Sequence, residues 1–246
     1  MSKTAIEWVR NSDGTQGRSL NPVKGLCPVN CRDNQGKPYC YARKLYKRFK
    51  WNPEIRYDHD AFKGLPSKPS RVFVGSTMEL FGPWVERDWW HMIMAKCLSR
   101  PQHTFIFLTK KPQNLPKKFP DNCWVGVSAT DDVKFQYATS HLAGIKAKVK
   151  FISIEPLLSW DMGVGCMAGY LKERGIGWLI VGQQTPHNKN TEPKIEWIKE
   201  IVEAADKAWI AVFLKDNLRP ILSSKYGKYP PAWAYSQGGL RQELPQ

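Results

Sequence analysis

Val149-Lys-Phe-Ile-Ser-Ile154 runs directly into Glu155-Pro156. A run this apolar, with β-branched and aromatic side chains at most positions, suits a strand buried on both faces, which is the habit of parallel sheets. The same kind of run recurs on either side. Arg71-Val-Phe-Val74, Thr104-Phe-Ile-Phe-Leu108 and Trp124-Val-Gly-Val127 precede it, and Trp178-Leu-Ile-Val181 and Trp209-Ile-Ala-Val-Phe-Leu214 follow. Leu20 to Leu26 completes the set as an expected first strand. Helical patterns lie between several of them. Glu86 to Arg100 places Trp89, Met92, Ile93 and Met94 toward one side. Asp131 to Ala143 opens on Thr130 or Asp131 as N-cap. Pro193 to Ala208 carries the stripe Ile195, Ile198, Ile201, Val202 and Ala205 behind an early proline. Tyr41 to Phe49 reads as a short basic helix. Strand and helix in alternation mean parallel strands with right-handed crossovers. The pattern predicts an α/β fold, a partial or complete parallel β/α barrel in a single domain over 1–246, with an open doubly wound sheet as the competing arrangement. Residues 50–70 and the tail 217–246 read as irregular.

The bulk composition narrows the class. The chain has 246 residues, 42% of them hydrophobic, enough for one sizeable core. No apolar run reaches the length of a membrane span, and the N-terminus lacks the apolar stretch of a secretory signal. The expectation is a cytoplasmic protein with no membrane association. Lys and Arg number 37 against 22 Asp and Glu, a net charge of +15. Such an excess concentrates polyanions, and eleven Trp and nine Tyr offer faces for unpaired bases. Nucleic acid is the expected macromolecular partner, with a small acidic substrate or an acidic protein as the other possibilities.

The chemistry is expected where parallel strands end, since working residues of β/α barrels follow the strands' carboxyl ends. Ser76, Thr77 and Glu79 follow the 71–74 run, and Thr109, Lys110 and Lys111 the 104–108 run. Ser128 to Asp131 follow 124–127, Gln183 to Thr185 follow 178–181, and Lys215 to Asn217 follow 209–214. Glu155 stands out, because it follows its strand directly and Pro156 breaks the chain behind it. It reads as a ligand-orienting carboxylate, or as a helix-terminal charge or salt bridge.

Three cysteines carry the sharper signal. Cys27-Pro-Val-Asn-Cys31 is followed by Lys37-Pro-Tyr-Cys40-Tyr-Ala-Arg43. Thiols so clustered in a chain too large to need staples point to metal. Zinc with His59 as fourth ligand is one reading, and unliganded core thiols another. The third is an iron–sulfur cluster whose three ligands leave one iron open for chemistry. Cys97 and Cys123 read as core. Cys166, in a Gly-rich loop, could approach the strand ends and donate a hydrogen atom.

At these residues the chain resembles the radical S-adenosylmethionine superfamily, whose loop is written C-x3-C-x2-C with an aromatic residue before the last cysteine. Cys27 and Cys31 have the first spacing, and Tyr39 precedes Cys40. The second spacing departs from the pattern, at eight residues in place of two. Arg32 to Pro38, with Asp33-Asn-Gln-Gly36, reads as an inserted turn. Over nearly its whole length the chain also resembles the phage-associated three-Cys-motif family, largely of unknown function. The matching stretches include Asn21-Pro-Val, Cys40-Tyr-Ala-Arg43, Arg71-Val-Phe-Val-Gly-Ser76, Glu79-Leu-Phe81, Glu155-Pro-Leu-Leu158 and Phe213-Leu-Lys-Asp216. The cysteine loop alone is similar to that of the spore photoproduct lyase branch, which acts on DNA.

The resemblance implies a radical-enzyme barrel with a [4Fe-4S] cluster on Cys27, Cys31 and Cys40. S-adenosylmethionine would be held on the open iron and cleaved to a hydrogen-abstracting radical. It further implies that Ser76, Thr77 and Glu79 hold the amino group of S-adenosylmethionine. Ser128 and Glu155 would hold its ribose and carboxylate, Gln183 would face adenine or substrate, and Tyr39 would pack by the cluster. An electron donor such as flavodoxin or ferredoxin and a nucleic-acid or nucleotide substrate follow from the same likeness. The competing functions are a non-enzymatic zinc or iron–sulfur module that docks nucleic acid, and a phage or host-defence partner of an acidic protein.

Overall fold

The apolar runs become strands almost residue for residue in the computed structural model, which describes residues 2–229, 231–236 and 239–245. The strands and helices divide between two compact units.

The first unit holds β1 (Ser2–Lys3), β2 (Arg18–Leu20), β3 (Val23–Lys24), α1 (Tyr41–Phe49), β4 (Arg56–Tyr57), β5 (Arg71–Val74), α2 (Arg87–Leu98) and β6 (Thr104–Thr109). It also holds the start of β7 (Cys123–Ala129). β2, β5 and β6 run parallel in register Leu20–Val74 and Val74–Phe107, and β1 adds to β2 antiparallel. The expected first strand over Leu20 to Leu26 is displaced, since β2 ends at Leu20, where that span was to begin. Pro22 has no N–H to continue the ladder, and Asn21 turns its amide to a neighbouring loop. Val23 then pairs antiparallel with Tyr57 in a separate ribbon. This unit's core is aromatic. Phe81, Trp90, Phe107 and Phe119 meet edge-on or tilted with centroids 4.9–6.3 Å apart.

The second unit holds α3 (Asp132–Ala143), β8 (Val149–Ile154), α4 (Val164–Glu173), β9 (Trp178–Val181), α5 (Ile195–Ala208), β10 (Ala211–Leu214), α6 (Arg219–Tyr226) and the small hairpin β11 (Tyr235–Ser236) and β12 (Gly239–Leu240). β8, β9 and β10 are parallel and almost wholly buried, as their continuous apolar composition requires. Asp131 caps α3 by accepting from the Lys134 amide at 2.8 Å. The α5 stripe Ile195, Ile198, Ile201, Val202 and Ala205 is buried as expected. Pro193 stays outside that helix, one residue before its N-cap Lys194. Trp209 is the left-handed cap of α5, so β10 starts only at Ala211.

Among the described residues the tail after 217 holds regular elements where an irregular segment was expected. Besides α6, it sends a return segment along the outer side of β10. The Leu214 amide donates to the Arg241 carbonyl at 2.8 Å and the Glu243 amide to the Val212 carbonyl at 2.9 Å. The cover satisfies an edge that would otherwise pair with another chain.

The strand order is β1-β2-β5-β6-β7-β8-β9-β10, with seven parallel strands. Because the parallel strands follow chain order without reversal, the sheet is barrel-type rather than doubly wound. Among the described residues no pairing closes it, so the barrel is partial. No described helix is long and apolar enough to cross a membrane.

Candidate functional site

The long spacing between Cys31 and Cys40 is a hairpin that closes on itself. The Asp33 amide donates to the Lys37 carbonyl and the Gly36 amide to the Asp33 carbonyl, both at 3.0 Å. The Asp33 carboxylate accepts from the amides of Gln35 at 3.0 Å and Lys37 at 2.8 Å. Gly36 has a φ of +76°, a conformation in which a Cβ is penalised. Arg32 faces Pro38 in an antiparallel bridge, and the Tyr39 amide returns to the Cys31 carbonyl at 3.2 Å. The chain therefore leaves and rejoins the loop at adjacent points. The Cys31 and Cys40 side chains come close enough across the gap to shift each other's titration. The turn expected over Arg32 to Pro38 is present, and it leaves the two cysteines side by side.

Each of the three sulfurs meets a source of positive potential. Cys40 is the N-cap of α1, so its sulfur sits at the positive end of that helix, near the Ala42 and Arg43 amides, without a side-chain cap hydrogen bond. The Cys31 side chain holds the Cys40 thiol well below the ordinary range. Burial opposes that, while the two amides and the Lys110 charge assist. The Cys31 thiol is pushed up by the Cys40 side chain and then by burial, against the pull of Lys110. Cys27 is only 8% exposed, and burial pushes its thiol up. The amides of Glu79 and Val29 counter that, the former at 3.5 Å from Sγ. Arg43 donates through Nη2 to the Cys27 carbonyl at 2.8 Å, and its buried Nε has no partner among the described residues.

This donor set suits an anionic group bound by three thiolates. It does not suit a single ion. Among the described residues no three His, Cys, Asp or Glu side chains are placed to hold one metal ion. His59 is exposed, with its ring edge-on to Tyr57 at 4.9 Å. Thiolates on an iron–sulfur cluster bind different irons and need not converge on one point.

The loop after β5 lies against the same segment. Gly75 takes a φ of +82° to leave the strand. Asn21 then clamps the loop, with its Oδ1 accepting from the Thr77 amide at 2.9 Å and its Nδ2 donating to Ser76 Oγ at 3.2 Å. The Tyr41 hydroxyl donates to the Ser76 carbonyl. Glu79 is 7% exposed and its carboxylate is fully engaged. Oε1 accepts from the Phe81 amide at 3.0 Å and Thr109 Oγ1 at 2.7 Å, and Oε2 from the Lys110 amide at 2.7 Å. Glu79 thus ties the end of β6 to the loop after β5. Tyr39 is half-buried in the cysteine loop. Ser76 and Thr77 come to the cysteine segment through Asn21, a partner that no local pattern announces.

The second unit gathers its own polar group at the ends of β8, β9 and β10. Glu155 accepts an ion pair from Lys215, with both side chains mostly buried. Gly182 makes room for that pair. A Cβ there would lie 2.9 Å from Lys215 Cδ, 3.3 Å from Asn217 Oδ1 and 3.4 Å from Glu155 Cδ. Gln183 is buried and its amide side chain donates to the Asn217 carbonyl, while Asn217 Nδ2 donates back to the Gln183 carbonyl at 2.8 Å. Ser128 lies within β7 rather than after it, because that strand runs on to Ala129.

Cys166 departs from expectation. It sits in the first turn of α4, exposed, where a Gly-rich loop was expected. Met167, Ala168 and Leu171 form a buried stripe that holds the helix despite Gly165 and Gly169. Cys97 and Cys123 are buried against each other in the first unit, as core thiols.

Comparison with known proteins adds a family. A family model described as "Protein of unknown function (DUF5131)" matches residues 3–219. No curated protein matches the chain. A solved structure of a spore photoproduct lyase double mutant, with bound AdoMet and dinucleoside spore photoproduct, is similar at a TM-score of 0.45 and 12% identity. That alignment covers 83% of this chain and 65% of the other, so this chain spans less than two thirds of that protein's length.

Proposed function

The chain belongs to the family described as Protein of unknown function (DUF5131), and we propose that it is a radical S-adenosylmethionine enzyme that modifies or repairs a nucleic acid or nucleotide. One observation carries the reading. The hairpin over Arg32 to Pro38 returns Cys40 to Cys31, which undoes the departure from the superfamily's cysteine spacing.

Cys27, Cys31 and Cys40 are the residues that would hold a [4Fe-4S] cluster. Bound there with one iron open, it would supply an electron to S-adenosylmethionine and so a radical able to take hydrogen from substrate. The chain's own residues set the conditions. The α1 N-terminus, the Glu79 amide and Lys110 favour negative charge on the sulfurs. Asn21 fixes the Ser76–Thr77 backbone, whose hydroxyls are the proposed contacts for the amino group of S-adenosylmethionine. Glu79 holds that loop to β6, and Tyr39 flanks Cys40. Flavodoxin or ferredoxin is the proposed class of electron donor.

The test is made on anaerobically purified, reconstituted protein. The EPR spectrum of the reduced sample is recorded with and without S-adenosylmethionine, and 5′-deoxyadenosine is assayed in the same tube. A cluster signal that shifts on addition, with 5′-deoxyadenosine formed and both lost in Cys27→Ala, is the expected result. Protein that takes up zinc, shows no cluster and forms no 5′-deoxyadenosine overturns the proposal.

A further inference from the structure

The helix that begins at Cys40 ends on a pair of exposed stacked rings. Phe49 and Trp51 are 52% and 45% exposed, with centroids 5.5 Å apart and planes 20° from parallel. Scattered exposed aromatics need no explanation, but these two are fixed in place. Lys50 takes a left-handed conformation (φ +51°), which turns the chain back so that the Trp51 amide donates to the Tyr46 carbonyl at 3.2 Å. The Trp51 ring then sits edge-on to Tyr46 at 5.2 Å. Tyr46 is itself anchored, since its hydroxyl accepts from the Gly25 amide at 2.8 Å. The Arg48 guanidinium lies over the Phe49 ring at 5.3 Å. A stacked pair held this way presents a flat apolar face without any further loss of side-chain freedom on binding.

The charge around the pair is of one sign. Residues 41–51 contain Arg43, Lys44, Lys47, Arg48 and Lys50 and no acidic residue. Lys44, Lys47, Arg48 and Lys50 are exposed, and none of them pairs with a carboxylate among the described residues. Within α1, Tyr41 and Lys44, Lys44 and Lys47, and Lys44 and Arg48 are three or four residues apart, so these four share one face of the helix. Tyr41, 48% exposed, stands at the cysteine end of that face, and the ring pair lies past its other end, where Phe49 closes the helix on the Ala42–Tyr46 side and Trp51 follows the left-handed Lys50. Ala42 and Tyr46, on the opposite side, are buried.

From this arrangement we infer that the outer face of α1 is a docking platform for an unpaired nucleic-acid strand, which stacks a base on Phe49 and Trp51 and lays its phosphates along Lys44, Lys47, Arg48 and Lys50. Flat rings are recognised by any base, and cations in a row recognise a backbone. Duplex bases are stacked on one another and cannot use the rings. A helix of nine residues is about 14 Å long, which spans about four nucleotides at 3.4 Å each. A strand seated on the pair and running along α1 therefore brings a base to the Cys40 end. The inference deepens the function proposed above and rests on it for the substrate class.

The experiment is fluorescence anisotropy of a labelled short oligothymidylate with the full-length protein, across a salt series. Four phosphate contacts predict a slope of log affinity against log salt of about −2.8. Lys47→Gln with Arg48→Gln should make that slope shallower by about 1.4. Phe49→Ala should weaken binding about 5-fold to 150-fold, the usual range for one stacked base. Hybridising the oligomer to its complement should abolish the dependence on Phe49. Unchanged affinity in Phe49→Ala and an unchanged slope in the lysine–arginine variant overturn the inference. So does binding of anionic phospholipid vesicles that needs Phe49 while oligomer binding does not. The two proposals fail separately. Wild-type protein that forms 5′-deoxyadenosine but ignores the oligomer loses only the platform. Protein that binds the oligomer through Phe49 but forms none loses only the cofactor reading.

Discussion

Replacing Glu79 by Ala removes the acceptor for three donors, and the cost follows from where those donors are left. The Phe81 amide at 3.0 Å and the Thr109 hydroxyl at 2.7 Å belong to buried residues, and Thr109 is 1% exposed. The Lys110 amide, at 2.7 Å, belongs to an exposed residue and can turn to water. Two buried donors without partners cost about 1–3 kcal/mol each, so Glu79→Ala should lose about 4 kcal/mol. At the usual 2–4 °C per kcal/mol for a chain of this size, the melting temperature should fall by about 8–16 °C. Glu79→Gln keeps one acceptor oxygen in place and should lose about 1–2 kcal/mol. The assay is urea unfolding of the three proteins, followed by far-ultraviolet circular dichroism, with Thr109→Val and the double variant completing a cycle. The cycle should return a coupling of at least about 1 kcal/mol between Glu79 and Thr109. A Glu79→Ala variant within about 1 kcal/mol of the parent, or a coupling near zero, would show that the carboxylate is not the clamp described.

Two other perturbations probe the backbone and the helix ends. Gly75→Ala places a Cβ 2.7 Å from the Leu80 side chain in a left-handed residue (φ +82°), and should cost about 2–3 kcal/mol in thermal or urea unfolding. A loss below about 0.5 kcal/mol would mean that the loop leaves β5 in another conformation. Asp131→Ala removes the α3 N-cap and should cost about 1 kcal/mol at neutral pH. The Asp131 carboxyl is held below the ordinary range: burial opposes its ionisation, but the Lys134 side chain and amide and the Thr130 hydroxyl outweigh it. A depressed carboxyl stabilises the fold above its unfolded pKa, and that contribution fades as pH falls through the folded value. The gap between parent and variant should therefore narrow in acid, and an undiminished gap near pH 3 would contradict the assignment.

Much of this protein was open to reading from its residues in order. β5, β8 and β9 have the bounds that their apolar runs predict, because a strand buried on both faces must be apolar throughout. The α5 stripe and the Asp131 cap were legible for the same reason, since helical period and capping are local. The three cysteines were legible as a group, and Cys40 at the start of a basic helix with them. What escaped was set by partners distant in the chain. Asn21 reaches Ser76 and Thr77 across more than fifty residues, Glu79 reaches Thr109 across thirty, and Lys215 reaches Glu155 across sixty. Such polar pairs follow no period, and either partner alone reads as an ordinary strand-end residue. The α4 helix escaped because its glycines argue locally for a loop, while burial of Met167, Ala168 and Leu171 outweighs them only in the folded unit. Residue types and local period determined which segments are strands and which side chains can do chemistry. Only the tertiary structure decided that eight residues between Cys31 and Cys40 form a closed hairpin, because closure depends on where the Asp33 carboxylate and the Tyr39 amide find their partners.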